Sequence, residues 1–105
     1  MAECIVILIT CASLGEAETI TEALVSEKLI ACGNIVSGVR SIFFWQNKIS
    51  KETESLIIAK SIHKHFPSII EKVKEMHSYT VPEIIALPLI EGSGDYLRWI
   101  ESTVK

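Results

Sequence analysis

Histidine and cysteine side chains are the groups in this chain best suited to metal chemistry. His77 follows an apolar, helix-like stretch and begins a segment that Pro82 stiffens. A neutral imidazole at this place can bind copper or zinc, or it can instead face the last carbonyls of the helix. Cys32 offers a thiolate that suits cuprous copper or zinc, but burial in a subunit interface explains it as well and is the favoured interpretation. His77 is therefore a candidate metal ligand, and a cysteine such as Cys32 is a candidate to bind beside it.

The remaining histidines and cysteines favour structural roles. His63 and His65 have the spacing that points two side chains to one side of a strand, but a helix begins there, so a solvated helix start is favoured. The three cysteines, Cys4, Cys11 and Cys32, cannot all pair within one chain, and no CxxC spacing occurs. Buried, reduced thiols are the favoured interpretation.

A second group of residues indicates a cleft rather than a metal site. Lys60 ends an apolar, strand-like run, where a lysine needs a partner, and Glu83 is the candidate. Together with Trp45 and Tyr79, this pair predicts an inter-subunit cleft that suits a small anionic ligand. The alternative is a structural ion pair under an aromatic lid.

The elements that must position these residues alternate between strands and helices. Apolar runs predict strands and a 3.6-residue periodicity predicts helices. A capping box at Ser13-Leu14-Gly15-Glu16 begins the first helix, and Pro67 lies in the first turn of the second. The predicted strands are Cys4–Thr10, Ala31–Trp45, Ile49–Ser61 and Ile84–Ile90, and the predicted helices run from Ser13 to Lys28, Lys64 to Met76 and Asp95 to Thr103.

The second and third strands form a long hairpin with a turn at Gln46-Asn47-Lys48. Gly33 and Gly38 interrupt the strand pattern, which predicts a bulge or a close backbone approach. Pro88 predicts an edge position or a bulge for the last strand. The order β-α-β-β-α-β with a C-terminal helix predicts an α+β, ferredoxin-like sandwich in a single domain over residues 1–105.

The strands carry more apolar surface than one chain can cover. Leu56 to Ala59 and Ile84 to Leu87 are apolar at consecutive positions, so both faces of the sheet are expected to be buried. The two main helices cover one face, and identical subunits are the simplest cover for the other. The alternative is that the terminal helix alone covers it, although its stripe of Leu97 and Ile100 is short.

The composition excludes two classes of partner. Ten Lys and Arg stand against 13 Asp and Glu in 105 residues, and the net charge of −3 disfavours nucleic acid. No apolar run approaches the roughly 20 residues of a membrane span, and no signal-peptide pattern is present. We therefore predict a soluble, cytoplasmic protein.

Several segments resemble one protein family in sequence, order and spacing, over essentially the whole chain. These segments are Ala31-Cys32-Gly33-Asn34-Ile35, Phe44-Trp45-Gln46-Asn47-Lys48-Ile49, the strand-ending Lys60, His77-Ser78-Tyr79-Thr80-Val81-Pro82-Glu83-Ile84, Leu87-Pro88-Leu89 and Gly94-Asp95-Tyr96-Leu97-Arg98-Trp99-Ile100. They resemble the CutA divalent-cation-tolerance family.

The resemblance implies a ferredoxin-like fold assembled as a tight homotrimer, similar in architecture to the PII nitrogen-signalling proteins. It implies tolerance to divalent metals, with copper or another divalent ion as cofactor and no organic cofactor. It implies His77 and Cys32 as metal ligands. The family's copper-binding cysteine near the end of the first strand corresponds here to Ile9 rather than to Cys11.

Three other functions stay open at this point. A PII-like sensor would bind a small anionic ligand between subunits, although no Gly-rich phosphate loop or basic cluster occurs. Acylphosphatases share the layout and use an Arg and an Asn, but neither Arg40 nor Arg98 lies in a phosphate-binding loop, so we expect no enzyme. A structural scaffold is the third.

Overall fold

The computed structural model describes residues 3–105 and confirms the predicted order of elements. No helix among these residues has both the length and the apolar character needed to cross a membrane. The elements are β1 (Cys4–Cys11), α1 (Leu14–Ser26), β2 (Cys32–Trp45), β3 (Lys48–Ile62), a 3₁₀ turn (His63–His65), α2 (Phe66–Met76), β4 (Ile84–Pro88) and α3 (Gly94–Thr103).

The four strands form one antiparallel sheet in the order β2-β3-β1-β4. β1 lies between β3 and β4, so that Ile7 pairs with Ala59 on one side and with Ala86 on the other. β4 is an edge strand, which is where a sheet tolerates a residue such as Pro88. The predicted α+β, ferredoxin-like sandwich is confirmed.

One face of the sheet packs against α1 and α2 to form the core. Successive side chains of a strand point to opposite faces, and the residues of β1 that point to the helices are Ile5, Ile7, Ile9 and Cys11, all at most 2% exposed. The helices contribute the buried residues Ala17, Ile20, Leu24, Ile69 and Val73. This alternation places the Cys11 thiol inside the core at the end of β1.

The opposite face of the sheet, here called the open face, is only partly covered within one chain. It consists of Val6, Leu8, Val36, Leu56, Ile58, Ile85 and Leu87. Leu87 is 51% exposed and Ile85 is 48% exposed. α3 covers one end of this face through Ile100 and Val104. The alternative that α3 alone covers the second face is therefore wrong, and apolar surface is left over.

The hairpin of β2 and β3 contains a bulge and a tight turn, and apolar side chains beside the turn are exposed. A bulge in β2 includes Gly38, whose φ of +73° favours glycine. Gln46 and Asn47 have φ values of 48° and 63°, as in the two-residue type I′ turn, which confirms the predicted turn. Phe44 and Trp45 beside the turn are 70% and 55% exposed.

Several predicted boundaries differ from the structure by one or two residues, among them the ends of α1 and β4. α1 ends at Ser26 rather than at Lys28, because Lys28 has a φ of 57° and cannot continue a right-handed helix. β4 ends at Pro88 rather than at Ile90, which follows the strand and is 91% exposed.

Candidate functional site

His77 lies at the end of α2, and its imidazole is fully buried. Nε2 lies 2.7 Å from the carbonyl oxygen of Thr10 and donates a hydrogen bond to it, since a carbonyl can only accept. Nδ1 accepts a hydrogen bond from the backbone amide of Tyr79 at 3.0 Å. The ring therefore has the Nε2–H tautomer, and it joins the end of β1 to the segment that follows α2.

Glu16 approaches the same imidazole from the first turn of α1. Its amide donates to Ser13 Oγ at 3.1 Å, which confirms the N-cap half of the predicted capping box. Its carboxylate, however, accepts the amides of Ala12 at 3.2 Å and Ser78 at 3.1 Å, and Oε1 lies 3.7 Å from His77 Nδ1. Burial acts to raise the pKa of Glu16, but the hydrogen bonds from Ser78 and Ala12 and the nearby His77 outweigh burial and lower it.

The Cys11 thiol completes a group of three ligand-type side chains. A ligand atom of each of Cys11, Glu16 and His77 lies within 4.8 Å of the other two. Burial, and then the charges of Glu16 and Glu54, raise the pKa of the Cys11 thiol to about 12. This thiol is neutral at pH 7 and must lose its proton to bind a metal. We call these three residues the Cys11–Glu16–His77 cluster.

The donor set of the cluster fits a borderline or soft metal ion. Thiolate and imidazole ligands suit zinc and copper, whereas magnesium and calcium prefer oxygen ligands. Three protein ligands leave one position of a tetrahedral site for water or another ligand. The other ring nitrogen of His77 already donates to a backbone carbonyl, which is how metal-bound imidazoles are usually oriented.

A groove of about 860 Å³ lies beside the cluster, bordered by the hairpin and by the segment after α2. Trp45, Tyr79 and Glu83 all line it, so three of the four residues of the predicted cleft share one surface. The Tyr79 hydroxyl donates to Glu54 Oε2 at 2.7 Å, and burial followed by this contact raises the pKa of the phenol. The Tyr79 ring also lies 4.9 Å from the His77 ring, which connects the groove to the cluster.

Lys60, the fourth predicted cleft residue, lies elsewhere. Its ammonium donates to Asn34 Oδ1 rather than to a carboxylate. Lys60 pairs with Val6 of β1, whereas β4 begins opposite Ile9, so Lys60 and Glu83 lie at different levels of the sheet. The predicted ion pair between Lys60 and Glu83 does not form within the described chain, because the strand register separates them.

The charge of the groove also differs from that of a cleft for a small anionic ligand, which the sequence predicts. Every charged side chain among its described lining residues is a carboxylate, namely Glu52, Glu54 and Glu83. Carboxylates concentrate cations and repel anions. Within one chain, the groove therefore disfavours the small anionic ligand that the sequence predicted.

Comparison with known proteins identifies the family. The family described as CutA1 divalent ion tolerance protein matches residues 5–103. This chain belongs to the CutA1 family. A relative named divalent-cation tolerance protein CutA, from Thermus thermophilus, is 48% identical over 95 residues, which are 90% of this chain and 92% of that protein.

Solved structures of CutA1 proteins share the fold of this CutA1 chain. CutA1 from Oryza sativa superposes with a TM-score of 0.97 at 35% identity, over 99% of this chain and 95% of that one. CutA from Archaeoglobus fulgidus, described as a periplasmic divalent cation tolerance protein, superposes with a TM-score of 0.94 at 42% identity, over 97% of this chain and 99% of that one. The family resemblance in the sequence is confirmed, while the cytoplasmic location stays a prediction.

Cys32 and His77 do not share a site within this CutA1 chain. Cys32 lies level with Val6 in the sheet register, four residues before Thr10, which is about 13 Å along the strands. Its sulfur lies 3.5 Å from the Tyr96 hydroxyl, and this contact, followed by burial, raises the pKa of that phenol. A metal site that uses His77 therefore takes its thiol from Cys11.

Cys11 and Glu16 are the members of this CutA1 cluster that the sequence did not indicate as ligands. The sequence predicts a buried thiol for Cys11, which the structure confirms, and a capping box for Glu16, of which the structure confirms only the Ser13 half. The available signal is the alternation of β1, which turns Cys11 inward just before a helix whose first turn carries an acidic residue. The sequence prediction of a solvated helix start is wrong for His65, which is buried and contacts the Lys105 carbonyl.

Proposed function

We propose that this CutA1-family protein contributes to divalent-cation tolerance by binding copper, zinc or a similar ion in the Cys11–Glu16–His77 cluster. One observation carries the proposal, namely that a sulfur, a carboxylate oxygen and an imidazole nitrogen lie within 4.8 Å of one another. The names of the relatives supply the biological context, since they are divalent-cation tolerance proteins. The proposed role is binding, and it involves no catalysed reaction.

The chemistry of the cluster gives the proposed site its selectivity. The sulfur and nitrogen donors come from Cys11 and His77, and Glu16 supplies negative charge at the same point. Ions that favour thiolate and imidazole should bind, and ions that require an oxygen shell should not. The site therefore discriminates between divalent cations and does not bind them all equally.

The proposed working form is a homotrimer in the cytoplasm, with an architecture similar to that of PII proteins. The support is the apolar surface of the open face, where Ile85 and Leu87 are about half exposed, and the exposed hairpin residues Phe44 and Trp45. Large exposed apolar patches mark protein interfaces. Identical subunits cover such a face with closed symmetry.

Zinc binding should release about one proton per ion at pH 7, because the Cys11 thiol, with its pKa raised to about 12, must ionise in order to bind. For the same reason, zinc affinity should rise with pH. Isothermal titration calorimetry of the reduced protein, in buffers with different ionisation enthalpies, measures affinity, stoichiometry and proton release together. Zinc is suitable because it has no redox chemistry that would oxidise the thiols.

Magnesium is the matched control for this titration, since it has the same charge and prefers oxygen ligands. The proposal expects one zinc per chain and no saturable magnesium binding under the same conditions. Zinc binding without proton release, or magnesium binding of equal affinity, would contradict a thiolate ligand.

A further inference from the structure

The position of the Tyr79 backbone depends on the same imidazole nitrogen that a metal would use. His77 Nε2 carries the hydrogen that it donates to Thr10, so its lone pair is not available to a metal. Nδ1 is therefore the ring nitrogen that a metal would use, and it lies 3.7 Å from Glu16 Oε1. In the present arrangement, its single in-plane lone pair accepts the Tyr79 amide at 3.0 Å.

Glu16 differs from His77 in this respect. Each carboxylate oxygen has two lone pairs, so Glu16 can bind a metal while it still accepts the amides of Ala12 and Ser78. Nδ1 has only one acceptor site, so a metal and the Tyr79 amide exclude one another. The hydrogen bond from the Tyr79 amide to Nδ1 is thus the one that metal binding must break.

Tyr79 transmits this change to the groove. Its hydroxyl bonds Glu54 Oε2 at 2.7 Å, and its ring contacts the His77 ring. Ser78, Tyr79, Thr80 and Val81 form one wall of the groove. An amide that loses its acceptor must find water or another partner, which requires the backbone to move.

We propose that metal occupancy of the cluster and the present position of residues 78–81 are alternatives, so that metal binding displaces this segment and reshapes the groove. The inference rests on the proposed metal function and adds its structural consequence. Metal binding and the position of this segment are linked. Any interaction that stabilises the present position lowers the metal affinity, and a bound metal destabilises the present position.

Amide hydrogen exchange at Tyr79, followed by NMR in the full-length protein with and without saturating zinc, tests the inference. Zinc should speed exchange of the Tyr79 amide by about tenfold or more, because that amide loses its acceptor. The core amide of Ile7, in the inner strand β1, is the internal reference and should not change. If calorimetry shows zinc binding and the Tyr79 amide stays protected, the inference is wrong and the proposed function stands. If calorimetry shows no zinc binding, both are wrong.

Tyr79→Phe provides an independent test with a folded protein. This variant keeps the ring and the amide but removes the hydroxyl bond to Glu54, so the segment is held less firmly and zinc should bind about three- to tenfold more tightly. Tyr96→Phe is the matched control, because it also removes a phenol hydroxyl but lies on α3 beside Cys32, and its zinc affinity should equal that of the wild type. Unchanged or weaker zinc binding by Tyr79→Phe would overturn the linkage.

Discussion

Replacement of His77 by glutamine should weaken zinc binding by about 100-fold or more. Loss of an outer-shell partner alone typically costs 10- to 100-fold in metal affinity, and this variant removes one of the three proposed ligands. The glutamine amide can still donate to the Thr10 carbonyl that Nε2 now bonds, so the substitution removes the ligand atom with limited damage to the fold. Calorimetric titration with zinc measures the loss.

His65→Gln is the matched control for this variant. His65 is also buried, and its Nε2 contacts the Lys105 carbonyl. Both variants remove an imidazole next to a backbone carbonyl, but only His77 belongs to the cluster. We expect His65→Gln to bind zinc like the wild type. Equal affinity in the wild type and in His77→Gln would remove His77 from the site.

The variant Leu87→Lys should dissociate the proposed trimer into smaller species. Leu87 lies on the open face, pairs with Val6 across the sheet and is 51% exposed in one chain. In the proposed trimer this face is buried in every subunit, so the substitution places three unpaired ammonium groups in apolar surroundings. Size-exclusion chromatography with light scattering gives the mass directly.

Ile90→Lys provides the comparison for the assembly. Ile90 is an apolar residue just after β4 and is 91% exposed, so a lysine there adds the same charge outside the open face. This variant should keep the mass of the wild type. A wild-type mass in Leu87→Lys, or a wild-type protein that is monomeric at micromolar concentration, would show that the open face is not the subunit interface.

The fold follows from local patterns that the sequence displays directly. The continuous apolar run of β1 and the apolar stripe of α2 predict a strand and a helix by themselves. The errors lie at element ends, where one residue decides the boundary. Lys28 takes a left-handed conformation for which its side chain gives no signal, because such positions usually hold glycine or asparagine.

The candidate site was only partly predictable because it depends on register. The position of His77 at a predicted helix end makes it a candidate ligand from the sequence, and the structure places it at the end of α2. Its neighbours come from the end of β1 and the first turn of α1, and only the tertiary contacts of His77 with Thr10 and Glu16 bring them together. The family resemblance indicates Cys32 as the thiol, whereas the structure places Cys11 beside the imidazole.

The measurement that tests the central claim most directly is a cobalt titration of the wild type, Cys11→Ser and Cys32→Ser, all reduced. Cobalt occupies zinc sites and gives near-ultraviolet charge-transfer absorption only when a thiolate is bound. The two variants make the same chemical change at two thiols, one in the cluster and one beside Tyr96. The cluster predicts that the absorption appears in the wild type and in Cys32→Ser and is lost in Cys11→Ser. Absorption that persists in Cys11→Ser and disappears in Cys32→Ser would contradict it.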